Sequence, residues 1–236
     1  MINIIIPLYN EGKIIAKTIE TLIHFLAQSG FPYEYVITLA NNASTDNSLM
    51  VCEELTRKFR QVRILDLTGK GKGRAIRAAW TTAEAEILTF MDADLSSDLS
   101  FFRSLIDAVV VEGYDLATGN RLGKNSKIIN RRFLRSVASR LYNIFIRVLF
   151  KTSISDHQCG FKAMSKQAFF SVAPLLEDNA WFFDTELIVM ARQQGLKIKP
   201  IDIMWSDNTD SKVTLGRTSY EMFRAAWKLK KRLKQK

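Results

Sequence analysis

Cysteine is nearly absent from this 236-residue chain: only Cys52 and Cys159 occur. That excludes a disulfide framework and a cysteine-built zinc site, and makes a reducing, cytoplasmic setting the expectation. Histidine is as scarce. His24 falls in a helical pattern and His157 in a polar loop, with no serine or cysteine nucleophile set up beside either, so Ser–His or Cys–His catalysis is not expected. No apolar run approaches the roughly 18 residues needed to span a bilayer. The N-terminus opens directly on Asn3-Ile4-Ile5-Ile6-Pro7, without the basic region and cleavage site of a signal peptide. Acid is missing from two stretches. Lys124 to Arg147 holds seven Lys or Arg and no Asp or Glu, and Arg224 to the C-terminus holds seven more, again without an acid.

What is present is an ordinary globular composition, 47% hydrophobic and 25% charged, carrying a net charge of +10. Such a charge points to an anionic partner: phosphorylated substrates, a membrane surface or nucleic acid. No recognised nucleic-acid module accompanies the basic stretches, so nucleic acid is not an expected partner. Along the first 120 residues, short apolar runs at 4–6, 35–40, 62–67, 87–91 and 116–118 alternate with helical patterns at 11–27, 46–59, 71–83 and 99–111. Ser44 or Thr45 is the expected N-cap of the second helix. Strands separated by helices of this length predict βαβ units, hence an α/β fold with a mainly parallel sheet. Beyond Asn120 the spacing predicts one basic amphipathic helix over 127–150, with Phe133, Leu134, Val137, Leu141, Ile144, Phe145 and Val148 at helical intervals. A polar loop over 153–162, two shorter helices, a strand over 198–205 and a basic helical tail from about 219 follow. The expected organisation is one domain, 1–218, with halves 1–120 and 121–218, and a basic amphipathic tail over 219–236.

Ile87-Leu88-Thr89-Phe90-Met91-Asp92-Ala93-Asp94 reads as a buried strand running into two carboxylates. A pair at the C-terminal edge of an α/β sheet sits where such sheets bind ligands, and hard divalent cations take oxygen ligands. A solvated turn is the bland alternative. Gly69-Lys70-Gly71-Lys72-Gly73-Arg74 has the make-up of a phosphate cradle, in which glycines bare backbone N–H groups at a helix start; a flexible turn is the other reading. It is neither a Walker A loop nor a dinucleotide fingerprint. Pro7-Leu8-Tyr9-Asn10-Glu11 ends the first strand with a ring that can stack on a base and polar groups that can bond its edge.

In order, IIIPLYNEG, NNASTDNS, GKGKGRAIRAAW, FMDADLS, ATGNR, SDHQCGFKA, WFFDTELI and SKV resemble the family-2 inverting glycosyltransferases of GT-A (Rossmann-like) fold, and within them the dolichyl- and polyprenyl-phosphate sugar synthases. The resemblance covers 4–213. It implies that Pro7, Tyr9, Glu11, Asn41, Asn42 and Asp46 hold base and ribose. Here two asparagines stand where the family pattern has aspartates, so the preferred base stays open. It implies Lys72 near the nucleotide, Asp92 and Asp94 on Mg²⁺ or Mn²⁺ and the diphosphate, and Arg121 near the transferred phosphate or sugar. Asp156, Gln158 and Lys162 match the loop under the sugar, Asp184 and Glu186 the acids of the acceptor half, and Lys212 a loop folding over the site.

The implied reaction moves a hexose from UDP-glucose, GDP-mannose or UDP-N-acetylglucosamine to a polyprenyl phosphate with inversion. A phosphate acceptor is largely ionised at neutral pH, its second pKa being about 6, so it needs cations more than a general base. Arg121, Arg131, Arg132, Arg135, Lys162 and Lys212 are the candidates for that role. A hydroxyl acceptor would instead require Asp184 or Glu186 as base. The basic amphipathic helices suit a membrane surface, with the protein peripheral on its cytoplasmic face; a core-packed helix with a solvated basic face is the alternative. A soluble glycosyltransferase using a hydroxyl, and a non-catalytic nucleotide-sugar-binding protein, are the other functional readings.

Overall fold

The computed structural model describes residues 1–130, 133–207 and 215–235, with side chains except at 133 and 215–217. The first part is the expected alternation: β1 (Ile2–Leu8), α1 (Ile15–Gln28), β2 (Tyr35–Asn42), α2 (Ser48–Lys58), β3 (Val62–Leu67), α3 (Lys72–Thr82), β4 (Ile87–Met91), α4 (Phe102–Val110) and β5 (Leu116–Asn120). Then come β6 (Lys127–Ile129), α5 (Phe133–Phe150), β7 (Phe161–Ser165), α6 (Lys166–Val172), α7 (Phe183–Gln193), β8 (Ile198–Asp202), β9 (Met204–Ser206) and α8 (Leu215–Lys234). Seven strands form one sheet in the order β3-β2-β1-β4-β7-β5-β8. Every pairing is parallel except those of β7, which runs antiparallel between β4 and β5.

Successive residues of the inner strands serve opposite faces, which is why they read as unbroken apolar runs. Ile5 and Phe90 join Trp80, Phe169 and Phe183 on the face covered by α3, α6 and α7. Ile4, Ile6 and Met91 join Ile19, Leu22 and Phe102 under α1, α2 and α4.

Several expectations change, and β7 takes the end of the polar loop foreseen over 153–162. The helix foreseen over 127–150 yields its first residues to β6, because Lys127, Ile128 and Ile129 pair with Met204, Trp205 and Ser206 in a separate two-stranded sheet. The strand foreseen over 198–205 is accordingly two, divided at Ile203, whose fully buried side chain drops into the core. The C-terminal helix begins at 215. At α2, Ser44 and Thr45 do not cap the helix; they bond to Asn10, and the carboxylate of Asp46 accepts from Ser48 N at 2.9 Å.

The apolar residues of α5 do not share one face. Tyr142, Ile146 and Phe150 are buried, while Leu134, Leu141, Ile144 and Val148 lie exposed, Leu134 and Val148 at 75%. Phe145 packs against α8, its ring centroid 4.9 Å from Phe223 and 6.3 Å from Trp227.

Candidate active site

The strands of the parallel half end together, and the loops that follow them carry backbone strain. Asn10, Ala43 and Leu95, in the turns after β1, β2 and β4, all have φ between 49° and 56°. Non-glycine residues held in the left-handed region cluster where a structure over-determines them for function. Asp92 leaves β4 with its N–H on Gly160 O at 3.1 Å. A Cβ on Gly160 would stand 2.0 Å from Asp92 Oδ2, so only glycine lets that carboxylate lie where it does. Asp94 is exposed and accepts from Ser96 N at 3.0 Å.

Behind this edge lies a chain of opposite charges. Lys72 Nζ stands 2.8 Å from Asp92 Oδ1 and 3.2 Å from Asp184 Oδ2. The other oxygen of Asp184 accepts from Lys162 Nζ at 2.7 Å, and Lys162 also donates to Cys159 O. Burial would push Asp184 up, but Lys162 and Lys72 outweigh it and hold the carboxyl below the usual carboxylate range. Asp92 is pushed above that range by burial together with Asp94 and Asp184, against the pull of Lys72. Burial opposes the charge on Lys72, yet Asp184 and Asp92 raise its pKa above the ordinary lysine value. Lys162 is fully buried, so its ammonium serves Asp184 and is not presented to an acceptor phosphate. Both thiols are pushed up to about 12 by burial, which keeps Cys52 and Cys159 protonated and inert.

The glycine loop is not an open phosphate cradle. Gly73 N donates to Ala180 O and Arg74 N to Asn179 O, each at 3.2 Å, so these helix-start donors are already taken by the chain. A Cβ on Gly71 would stand 2.0 Å from Asn179 O, and one on Gly73 2.6 Å from Phe183 Cβ. The glycines are there for close approach of α3 to residues 178–183, and the loop's electrostatic contribution comes from Lys72 and Lys70.

On the other side of β1, Lys70 Nζ donates to Tyr9 Oη at 2.5 Å and lies 4.5 Å from the ring centroid. That hydrogen bond draws the phenol pKa down. The loop after Pro7 is stitched to the loop after β2: Asn10 Oδ1 accepts from Thr45 N, Glu11 N donates to Ser48 Oγ, and Gly12 N donates to Asp46 Oδ2. Asp46 thus binds protein with both oxygens. Asn41 Nδ2 donates to Asp66 at 2.7 Å, and the Oδ1 atoms of Asn41 and Asn42 are buried acceptors without a partner among the described residues.

Arg121 and Asp156 lock each other. The fully buried Asp156 accepts from Arg121 Nε at 2.7 Å and Nη2 at 2.9 Å, from its backbone N at 3.0 Å and from Gln158 N at 3.1 Å. Burial raises the Asp156 carboxyl, but Arg121 wins and holds it at about 2. Asp156 is therefore not positioned to bond a sugar. Gln158 turns to α8, with Nε2 on Met222 Sδ. Glu186 also lies elsewhere: its Oε2 accepts from Glu177 N and Asp178 N, and its Oε1 accepts from Arg232 of α8 at 2.8 Å. Arg135 pairs with Asp207 at 3.2 Å. Arg131, Arg132 and Lys212 lie outside the described residues.

Beside Arg121 opens a cavity of about 470 Å³ whose lining includes Ser126, Ile128, Asn130, Ser136 and Arg140. Ser136 and Arg140 were not among the sequence candidates. Their spacing of four places them on one side of a helix, but that signal means nothing until β6 is known to lie across from it.

The acids at the edge of β4 fit a divalent cation. Among the described residues no cluster of three or more potential ligands exists, so Asp92 and Asp94 would supply two carboxylates and substrate phosphates and water the remainder, the usual arrangement for Mg²⁺. Burial first, and then the repulsion of Asp94 and Asp184, raise Asp92, and a cation there would offset both.

A mostly parallel α/β sheet with a paired-acid edge and an antiparallel insertion is the GT-A arrangement of nucleotide-sugar transferases. The profile described as Glycosyl transferase family 2 matches residues 3–171, and the chain belongs to that family. Among its relatives, glycosyltransferase AglD of Haloferax volcanii is 31% identical over 97% of this chain, which spans 37% of AglD. Dolichyl-phosphate beta-glucosyltransferase of Saccharomyces cerevisiae is 28% identical over 94% of the chain, corresponding to 71% of the yeast protein. Glucosyl-3-phosphoglycerate synthase of Mycobacterium tuberculosis, crystallised with Mn²⁺, UDP and glucosyl-3-phosphoglycerate, shares the fold with a TM-score of 0.71 at 15% identity, over 97% of this chain and 79% of that one.

Proposed function

We propose that this glycosyltransferase moves glucose from UDP-glucose to a polyprenyl monophosphate, inverting the anomeric carbon, with residues 1–120 as the donor half and 121–218 as the acceptor half. Relatives named dolichyl-phosphate beta-glucosyltransferase support glucose as the sugar and a polyprenyl phosphate as the acceptor. The observation that carries the acceptor class is the cavity holding Arg121 and Arg140, on the helix whose outer face is the exposed stripe of Leu134, Leu141, Ile144 and Val148. A phosphate beside an apolar tail is the ligand such a juxtaposition suits.

The chemistry agrees with that choice. A hydroxyl nucleophile needs a base, and the two acids foreseen for it are committed: Asp184 is held ionised between two ammonium groups, and Glu186 is spent on backbone N–H groups and Arg232. A carboxylate held low makes a poor base. A phosphate arrives already ionised and needs only to be positioned. Arg140 supplies charge for this, and the spare edge of Arg121, held rigid by Asp156, supplies more. On the donor side Tyr9 and the loops after β1 and β2 receive the base. Mg²⁺ or Mn²⁺ held by Asp92 and Asp94 would neutralise the charge growing on the departing diphosphate. Lys72 adds a preorganised positive charge to the same group.

No helix among the described residues is long and apolar enough to cross a membrane. The exposed face of α5, with Tyr220 and Trp227 of α8 and the basic residues of both helices, suits peripheral binding at the anionic cytoplasmic leaflet. The test is to incubate the protein and polyprenyl-phosphate-bearing membranes with labelled UDP-glucose, GDP-mannose or UDP-N-acetylglucosamine and extract with organic solvent. Label should enter the lipid phase from UDP-glucose. Label that stays aqueous with all three donors overturns the lipid acceptor, and entry from another donor alone overturns glucose.

A further inference from the structure

We infer that Arg232, in the basic C-terminal helix, is a positioning residue for the donor side: through Glu186 and residues 176–180 it braces the glycine-rich turn that delivers Lys72. Its description as donor-side rests on the function proposed above; the brace itself is a matter of geometry. Arg232 would be expected on the solvated face of a cationic tail. Its side chain is instead about four-fifths buried, paired with Glu177 at 2.6 Å and Glu186 at 2.8 Å and donating to Leu175 O at 2.8 Å.

Leu175 and Glu177 belong to a segment squeezed between the starts of α3 and α7, and Glu186 lies in the first turn of α7. Glu186 Oε2 accepts from Glu177 N at 3.0 Å and Asp178 N at 2.8 Å, and Asp178 in turn accepts from Ala180 N at 2.8 Å. The far side of the same segment faces α3. Asn179 O and Ala180 O take the N–H groups of Arg74 and Gly73, and Arg77 donates to Leu176 O at 2.6 Å and to Asn179 Oδ1 at 2.5 Å. Gly71 and Gly73 leave no room for the segment to shift toward α3. Lys72 stands between these two glycines, and its ammonium reaches Asp92 and Asp184. A buried polar network rigidifies its members when every group in it is satisfied, and Arg232 supplies the cation that satisfies the second oxygen of Glu186. Packing does not need it: Met222, Ala226 and Leu229 bury the apolar side of α8. The tail, whatever it does at a membrane, therefore also sets the donor loop.

The test uses the full chain without nucleotide, by amide hydrogen exchange, and then with UDP-glucose. In Arg232→Met, peptides covering 71–77 and 176–181 should exchange about tenfold faster while peptides from β1 and β2 are unchanged. Because Lys72 acts on the leaving group, kcat should fall about fivefold with the donor KM within twofold, and Arg232→Lys should recover part of both the protection and kcat. Unchanged exchange in the two peptides of a folded Arg232→Met protein overturns the inference. Should that variant not fold, Glu186→Gln, which removes the charge that Arg232 pairs with and keeps an oxygen for the N–H groups of Glu177 and Asp178, is read by the same two peptides: faster exchange supports the brace and unchanged exchange overturns it. Faster exchange in a protein whose wild type transfers nothing from UDP-glucose supports the brace and sinks the donor assignment alone.

Discussion

Lys72 and Asp184 meet at 3.2 Å although they start different helices, 112 positions apart in the chain. The same ammonium reaches Asp92 at the end of β4, so one lysine links the metal-type acids to the acid of α7. This pairing turns three loosely spaced motifs into one electrostatic unit.

Lys72→Met should damage both stability and turnover. Removing one partner of a buried pair leaves an uncompensated charge and costs about 3–5 kcal/mol, here by leaving Asp92 and Asp184 facing each other. Loss of one preorganised charge at the leaving group typically lowers kcat by about 10²–10³. Urea unfolding and turnover with UDP-glucose measure the two separately, and a variant with wild-type turnover would remove Lys72 from the mechanism.

Asp94→Asn should separate function from folding. The side chain is exposed and an amide oxygen can still accept from Ser96 N, so stability should move by about 0.5 kcal/mol or less. Mn²⁺ affinity in the presence of UDP, followed by calorimetry, should fall by at least about tenfold, and transfer should be abolished. Retained full activity would end the metal assignment.

The outer face of α5 should govern membrane binding. Leu141→Asp with Ile144→Asp exchanges two exposed apolar side chains for charges at positions that contribute nothing to the buried core. Each such side chain is worth about 1.5–3 kcal/mol when fully buried, so flotation with anionic liposomes should drop by more than about tenfold while the thermal midpoint stays within a few degrees. Unchanged flotation would free this face from the role.

Acid should weaken the fold first through His157. Burial holds this imidazole down at about 4, against an ordinary value of 6.5. The unfolded chain takes up the proton near pH 6.5 and the folded one only near pH 4, so the contribution is full above pH 6.5 and is lost as pH falls toward 4. At about 1.4 kcal/mol per pH unit the loss is on the order of 3 kcal/mol. Asp156, at about 2, loses its contribution only below about pH 4, in a separate window. Urea midpoints between pH 4 and 7.5 should show the decline, and His157→Gln should flatten it. An equal slope in that variant would place the sensitivity elsewhere.

Much of the fold was legible because burial on both faces writes itself as short apolar runs, and helices between them as a period near 3.6. Strand β7 leaves no apolar signature because Phe161-Lys162-Ala163 carries a fully buried lysine, which breaks the pattern. The stretch 127–129 fits a helix as well as a strand because two isoleucines satisfy either period, and only the partner at 204–206 selects a strand. Glycines at 69, 71 and 73 look the same whether they bare N–H groups to a phosphate or admit a neighbouring backbone. Spacing likewise did not say that Glu186 faces away from Asp184 at a distance of two residues, or that Arg121 is clasped by Asp156.

The family, the alternating α/β order and the placement of Asp92 and Asp94 at the end of a buried strand are all readable from residue order, since each depends on local pattern or on ordered motifs. Which charges neutralise which emerges only once the chain is folded. A side chain's spacing along the chain reports which way it points on its own element, whereas its chemistry follows from the groups within about 3 Å, and Lys72, Lys162, Glu186 and Arg232 find theirs on elements far away in sequence.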